Sequence, residues 1–190
     1  MSTLAEKVLA LDAALTAADL PHAFGGALAL AYHVAEPRGT RDIDVNVFVP
    51  AQQARATFER LPNEVRWSNL DVEEVERDGQ VRVFWDDTPV DLFFVTHPFH
   101  EDAAEHTETV PFAGREIPVL AADNLAVFKA FFDRTKDWAD IEAMIAVGSI
   151  NVHSVLGWLV DLLGRDDDRV ERLRSIANTE PPASEPRFAP

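Results

Sequence analysis

The chain has 190 residues, of which 47% are apolar and 26% charged, enough to build and solubilise the core of one domain. Its 17 Lys+Arg against 33 Asp+Glu leave a formal charge of -16, a field that repels polyanions and argues against nonspecific nucleic-acid binding unless bound cations or a basic patch reverse it. The absence of cysteine excludes a disulfide framework and thiolate metal sites, and no apolar run reaches the roughly 18–20 residues a bilayer requires, so a cytoplasmic protein with no membrane segment and no export signal is expected.

Leu4, Val8, Leu11 and Leu15 recur at helical spacing and predict an opening amphipathic helix that ends near Leu20-Pro21. A short strand, His22-Ala23-Phe24, leads into Gly25-Gly26, and the good helix formers of 27–34 predict a second helix before Glu36-Pro37-Arg38-Gly39 turns the chain. The stretch 42–49 alternates strictly: Ile43, Val45, Val47 and Val49 share one face, and Asp42, Asp44, Asn46 and Phe48 share the other. After a helix over about 51–60, the segments 72–76 and 81–85 flank Asp78-Gly79 and read as a hairpin, with a further strand at 90–95. A shorter hairpin is expected from 110–112 and 116–119 around Ala113-Gly114, and the pattern from Asp123 onward is helical, over 125–132, 138–145, 155–163 and 170–176. Strands first and helices after predict an α+β or mixed α/β fold: a core over 1–120, a helical region over 121–177 packed on it, and a disordered Pro-rich tail over 178–190.

Asp42 and Asp44 lie two apart on a strand, so their carboxylates project from one face and can share one hard cation or a pair; the plainer alternative is an exposed acidic strand face. Gly25-Gly26 between a strand and a helix opens backbone N–H groups to a phosphate, or is simply a tight turn. The loop Arg38-Gly39-Thr40-Arg41 delivers two cations and a hydroxyl immediately before Asp42, where a triphosphate tail would lie on a bound metal, or its arginines are solvated. Asp91 interrupts the apolar run of Val90, Leu92, Phe93, Phe94 and Val95, and it needs a bound metal or a basic group as partner.

In order along the chain, His22-Ala23-Phe24-Gly25-Gly26, Thr40-Arg41-Asp42-Ile43-Asp44-Val45 and Pro89-Val90-Asp91-Leu92 resemble the signature of the nucleotidyltransferase superfamily: a glycine turn, an Asp-x-Asp strand and a third carboxylate on a neighbouring strand. The later stretch Phe128-Lys129-Ala130-Phe131-Phe132-Asp133-Arg134-Thr135-Lys136-Asp137-Trp138-Ala139-Asp140-Ile141 is similar to that of the AbiEii/AbiGii toxin-like (MenT-like) nucleotidyltransferases. The resemblance implies a polymerase β-like fold and transfer of a nucleoside monophosphate from a nucleoside triphosphate to an acceptor hydroxyl, with two magnesium ions. It makes Asp42 and Asp44 metal ligands, and has Asp91 complete the metal site or help deprotonate the acceptor. Gly25, Gly26 and Thr40 then hold phosphates, tRNA is a candidate acceptor, and a cognate antitoxin is a candidate partner.

On an unbroken helix Lys129, Asp133, Lys136 and Asp140 would fall at i, i+4, i+7 and i+11 and line one stripe. That stripe is either a solvated edge with helical ion pairs or a catalytic face on which Lys129 reaches the triphosphate and Asp140 orients it or the acceptor. His97-Pro98-Phe99-His100 reads as a loop without the logic of a zinc hydrolase, and the four tryptophans are scattered rather than stacked for base binding. Neither a P-loop nor a nucleophile elbow occurs. Three functions follow: a toxin-like nucleotidyltransferase, the same chemistry on a small aminoglycoside-type acceptor whose cationic character suits an acidic surface, and a catalytically silent partner module of the same fold.

Overall fold

The alternating segments form a mixed sheet of seven strands in the computed structural model, which describes residues 2–179. The strands are β1 (His22–Phe24), β2 (Ile43–Pro50), β3 (Val65–Arg66), β4 (Gln80–Trp85), β5 (Thr88–Val95), β6 (Glu108–Phe112) and β7 (Arg115–Val119). Their order across the sheet is β3-β4-β5-β2-β1-β7-β6. Two neighbours, β2 with β5 and β1 with β7, run parallel, and the rest are antiparallel. The chain divides into two compact units. The first contains the described residues up to Tyr32 together with Pro37–Ala121, and the second contains His33–Glu36 and the described residues from Ala122 onward.

In the first unit the period-two pattern of β2 is realised as a dry face. Ile43, Val45, Val47 and Val49 are buried together with Val90, Leu92 and Phe94 of β5 and Val81, Val83 and Trp85 of β4. Helix α1 (Leu4–Ala17) starts at a capping box in which Thr3 and Glu6 satisfy each other's backbone N–H groups, and it buries Val8, Leu11 and Leu15. Helix α2 (Gly26–Leu30) is shorter than the predicted 27–34, because the chain passes into turns after Ala31. A 3-10 turn (Ala51–Gln53) and α3 (Ala54–Phe58) stand where one helix was expected.

The hairpin expected around Asp78-Gly79 is not formed. Residues 72–76 belong instead to α4 (Asn69–Asp78), nucleated by a capping box between Ser68 and Asp71 and closed by Gly79 in the left-handed conformation, φ 72°. The physical reason is that an Asp-Gly pair suits a helix C-terminus as well as a hairpin turn, and here Val72 and Val75 are buried at a spacing of three rather than two. The hairpin partner of β4 is β5, joined through Asp86-Asp87 with Trp85 opposite Thr88. His97-Pro98-Phe99-His100 also differs from the expected loop: His97 caps α5 (Pro98–Glu105) by accepting the Phe99 N–H at 3.2 Å, and Pro98 occupies the first turn, where its missing N–H is harmless.

The second unit is helical over its described residues, with α6 (Ala122–Phe132), α7 (Thr135–Val147), α8 (Val152–Leu163) and α9 (Asp168–Thr179). The tail predicted from residue 178 lies, beyond Thr179, outside the described residues. The helix carrying Lys129 does not run through to Asp140. It stops at Phe132, Asp133 adopts φ 56°, and Arg134 begins α7 in an extended conformation. No helix among the described residues is long and apolar enough to cross a membrane.

Candidate active site

Adjacent parallel strands place register partners on the same face, and Asp44 of β2 is the partner of Asp91 of β5. Asp42 lies in the bend just before β2, and its Oδ2 comes within 3.9 Å of Arg82 Nη2, the same group that pairs with Asp91. The Thr40 hydroxyl is tied to Asp42: it donates to the Oδ1 carboxylate oxygen in a short hydrogen bond and accepts from the Asp42 N–H at 3.3 Å. Arg38 and Arg41 lie exposed in the loop ahead of them.

The glycine turn meets this face from β1. The Gly25 N–H donates to the Asp44 carbonyl at 2.9 Å, and a Cβ at Gly25 would sit 3.0 Å from Asn46 Nδ2. Gly26 has φ 54°, and a Cβ there would fall 1.8 Å from Asp44 Oδ2. Only glycine satisfies both the backbone conformation and this approach. With α2 five residues long, a phosphate at the turn would be met by local N–H groups more than by a helix dipole. Asn46, 3% exposed on the same face, leaves its Oδ1 without a hydrogen-bond partner among the described residues.

Arg82 is the residue that the sequence pattern did not single out. On β4 it stands directly opposite Asp91, and its guanidinium grips that carboxylate in a two-pronged pair, Nε to Oδ1 at 2.6 Å and Nη2 to Oδ2 at 2.6 Å. The same Nη2 lies 3.9 Å from Asp42 Oδ2. Hydrogen bonding to Asp91, reinforced by the fields of Asp91, Asp42 and Asp44 and opposed by partial burial, pushes the guanidinium pKa up, so Arg82 carries its charge throughout. The signal was available: a two-residue turn at Asp86-Asp87 sets Arg82 opposite Asp91 by counting alone.

The donor set tests whether a divalent metal fits. Carboxylate oxygens are hard ligands suited to magnesium, and Asp44 on β2 and Asp42 just before it supply two such side chains. Among the described residues, however, no group of three or more His, Cys, Asp or Glu side chains is gathered around a common point. Asp91 is already occupied by the arginine.

In the second unit Lys129 and Asp140 form a buried pair. Lys129 Nζ donates to Asp140 Oδ2 at 2.7 Å and lies 3.9 Å from Asp137 Oδ1, with side-chain exposures of 4%, 9% and 0%. On one straight helix, eleven residues at about 1.5 Å each would hold Lys129 and Asp140 roughly 16 Å apart. The corner at Asp133 brings them together. Asp137 also receives Arg134, Nε to Oδ2 at 2.6 Å, and Trp138 donates its indole N–H to Asp133 at 2.6 Å.

No protein-family model matches the chain, and no curated protein matches it in sequence. Solved structures do resemble it. ANT(2")-Ia in complex with adenylyl-2"-tobramycin superposes with a TM-score of 0.53 at 15% identity, covering 94% of this chain and 98% of that one. The lincosamide antibiotic adenylyltransferase LnuA, lincomycin-bound, gives a TM-score of 0.51 at 12% identity over 73% of this chain and 94% of its own. These superpositions, at TM-scores above 0.5 over most of the chain, give it the nucleotidyltransferase fold expected from its carboxylate signature.

Proposed function

We propose that this protein is a nucleotidyltransferase that moves a nucleoside monophosphate from a nucleoside triphosphate to an acceptor hydroxyl, with release of pyrophosphate. The observation that supports it is the pairing of Asp44 with Asp91 on adjacent parallel strands, with Asp42 immediately before the first of them, beside a turn where only glycine fits at position 26. Asp42 and Asp44 would hold magnesium, which when bound neutralises the charge that develops on the phosphate oxygens. The Thr40 hydroxyl holds the Asp42 carboxylate in place. The Gly26 N–H and the side chains of Arg38 and Arg41 receive the phosphates, whereas the Gly25 N–H and the Thr40 hydroxyl, expected from the sequence to do so, are engaged by the Asp44 carbonyl and the Asp42 carboxylate. Asp91 accepts the proton of the acceptor hydroxyl as its oxygen bonds to the α-phosphorus and the bond to pyrophosphate breaks.

The acceptor we favour is a small cationic molecule. A chain of net charge -16 attracts cations and repels RNA, and the two structural neighbours above were solved with tobramycin and lincomycin chemistry in their sites. A second reading, a toxin-like enzyme that modifies a tRNA end and has an antitoxin partner, draws on the similarity of the stretch 128–141 to the AbiEii-like proteins. An α-phosphate-labelled triphosphate, offered together with total RNA or with a panel of aminoglycosides and lincosamides, separates the two by where the label appears. Asp42→Ala and Asp44→Ala should each abolish transfer. Undiminished labelling in both variants would reject the proposal, and no labelling by the unmodified protein would favour a silent module.

A further inference from the structure

We infer that Arg82 takes the place of a second metal ion, so that this site works with a single divalent cation held by Asp42 and Asp44. The inference rests on the nucleotidyltransferase reading and concerns how that site is charged.

A metal shared by two carboxylates must lie between them, about 2.0–2.1 Å from an oxygen of each in the case of magnesium. Arg82 Nη2 reaches both of these carboxylates, 2.6 Å from Asp91 Oδ2 and 3.9 Å from Asp42 Oδ2, and so takes up the approach that a metal shared by them would need. A guanidinium stays protonated at any working pH, so the position carries a fixed positive charge. A divalent ion entering the same position would face a like charge at contact distance.

The placement is built into the sheet. Arg82 and Asp91 are register partners across the β4–β5 hairpin, and Asp91 and Asp44 are register partners across β5–β2, so the guanidinium is delivered to the acidic face by strand pairing rather than by a loop. Asp91 retains function in this arrangement. A carboxylate offers about four lone-pair positions and Arg82 uses two of them, which leaves room for an acceptor hydroxyl. Asp42 and Asp44 would supply the hard oxygen ligands for the ion that accompanies the triphosphate, and Arg38 and Arg41 lie exposed in the preceding loop.

The test is a titration of the full-length protein with Mn2+ in the presence of α,β-methylene-ATP, with bound metal read by electron paramagnetic resonance and calorimetry. The unmodified chain should bind one Mn2+, Asp42→Asn should bind none, and Arg82→Ala should gain a second, weaker site. Arg82→Gln keeps a polar side chain of similar length on β4 and should behave as Arg82→Ala does, with circular dichroism verifying the fold of each variant. Two ions in the unmodified protein would overturn the inference while leaving the nucleotidyltransferase reading standing, as would a single ion in both well-folded Arg82 variants. An unmodified protein that binds neither Mn2+ nor the nucleotide would overturn the parent reading, and this inference with it.

Discussion

Each unit of the protein carries a cluster of carboxylates around a cation, and the two clusters are built to opposite specifications. On the sheet of the first unit, Arg82 is 51% exposed and Asp91 15%, so the pair is wetted on one side and an incoming ligand can share it at modest cost. In the second unit Lys129, Asp137 and Asp140 are nearly dry, and removing any one would strand a charge in a medium that cannot solvate it. The first arrangement suits a site that meets changing partners. The second suits a joint, and it sits at the corner where α6 gives way to α7. Similar residue types thus do different work according to how much water reaches them.

The largest effect should separate chemistry from stability. Asp44→Ala is expected to reduce labelled-nucleotide transfer by about 10²–10³-fold or more, in line with removal of a principal electrostatic stabiliser. Its urea midpoint should stay near that of the unmodified chain, because Asp44 is only partly buried. Equal loss of both would mean that the acidic face is a structural element after all.

Lys129→Met attacks the other cluster and should destabilise the protein by about 3–5 kcal/mol in urea unfolding, since it leaves Asp140 buried without its cation. The comparison would break if this variant unfolded like the unmodified protein yet lost triphosphate affinity, because Lys129 would then serve a ligand rather than the corner.

Arg82→Ala sharpens the contrast from the exposed side. A half-exposed pair should cost only about 0–1 kcal/mol in stability, while the metal stoichiometry changes as described above. A loss comparable to that of Lys129→Met would show that both clusters are joints.

The smallest effect is a pH dependence in the first unit. Burial holds His100 below its ordinary value of 6.5, partly offset by its hydrogen bond to the His97 carbonyl. The unfolded chain therefore takes up this proton first, and stability should fall as the pH drops through about 6.5, levelling off once the folded histidine is itself protonated. His100→Gln should flatten that part of the Tm-against-pH curve. An unchanged slope would place the titrating group elsewhere.

Much of the fold could be read from local pattern. The alternation of 42–49 predicted β2 and its two faces, the apolar run at 90–95 predicted β5, and the later helices fell close to their expected positions. What misled was Asp78-Gly79, whose chemistry serves a helix end as readily as a hairpin. Placing the hairpin there cost the register of β4 against β5, and with it the arginine opposite Asp91. Ser68 and Asp71 were the corrective signal, a capping box that marks the start of a helix four residues before Val72.

By itself the sequence determined the alternating faces of β2 and marked the glycine turn ahead of α2, because period-two alternation and turn chemistry are properties of a few neighbouring residues. Asp42, Asp44, Gly25 and Gly26 were visible for that reason. Tertiary structure alone decided which cation each carboxylate meets: Arg82 for Asp91 through strand register, and Lys129 for Asp140 through the break at Asp133. Those pairings depend on where turns fall, and a shift of a single residue in a turn moves a side chain to the opposite face of a sheet or the far side of a corner.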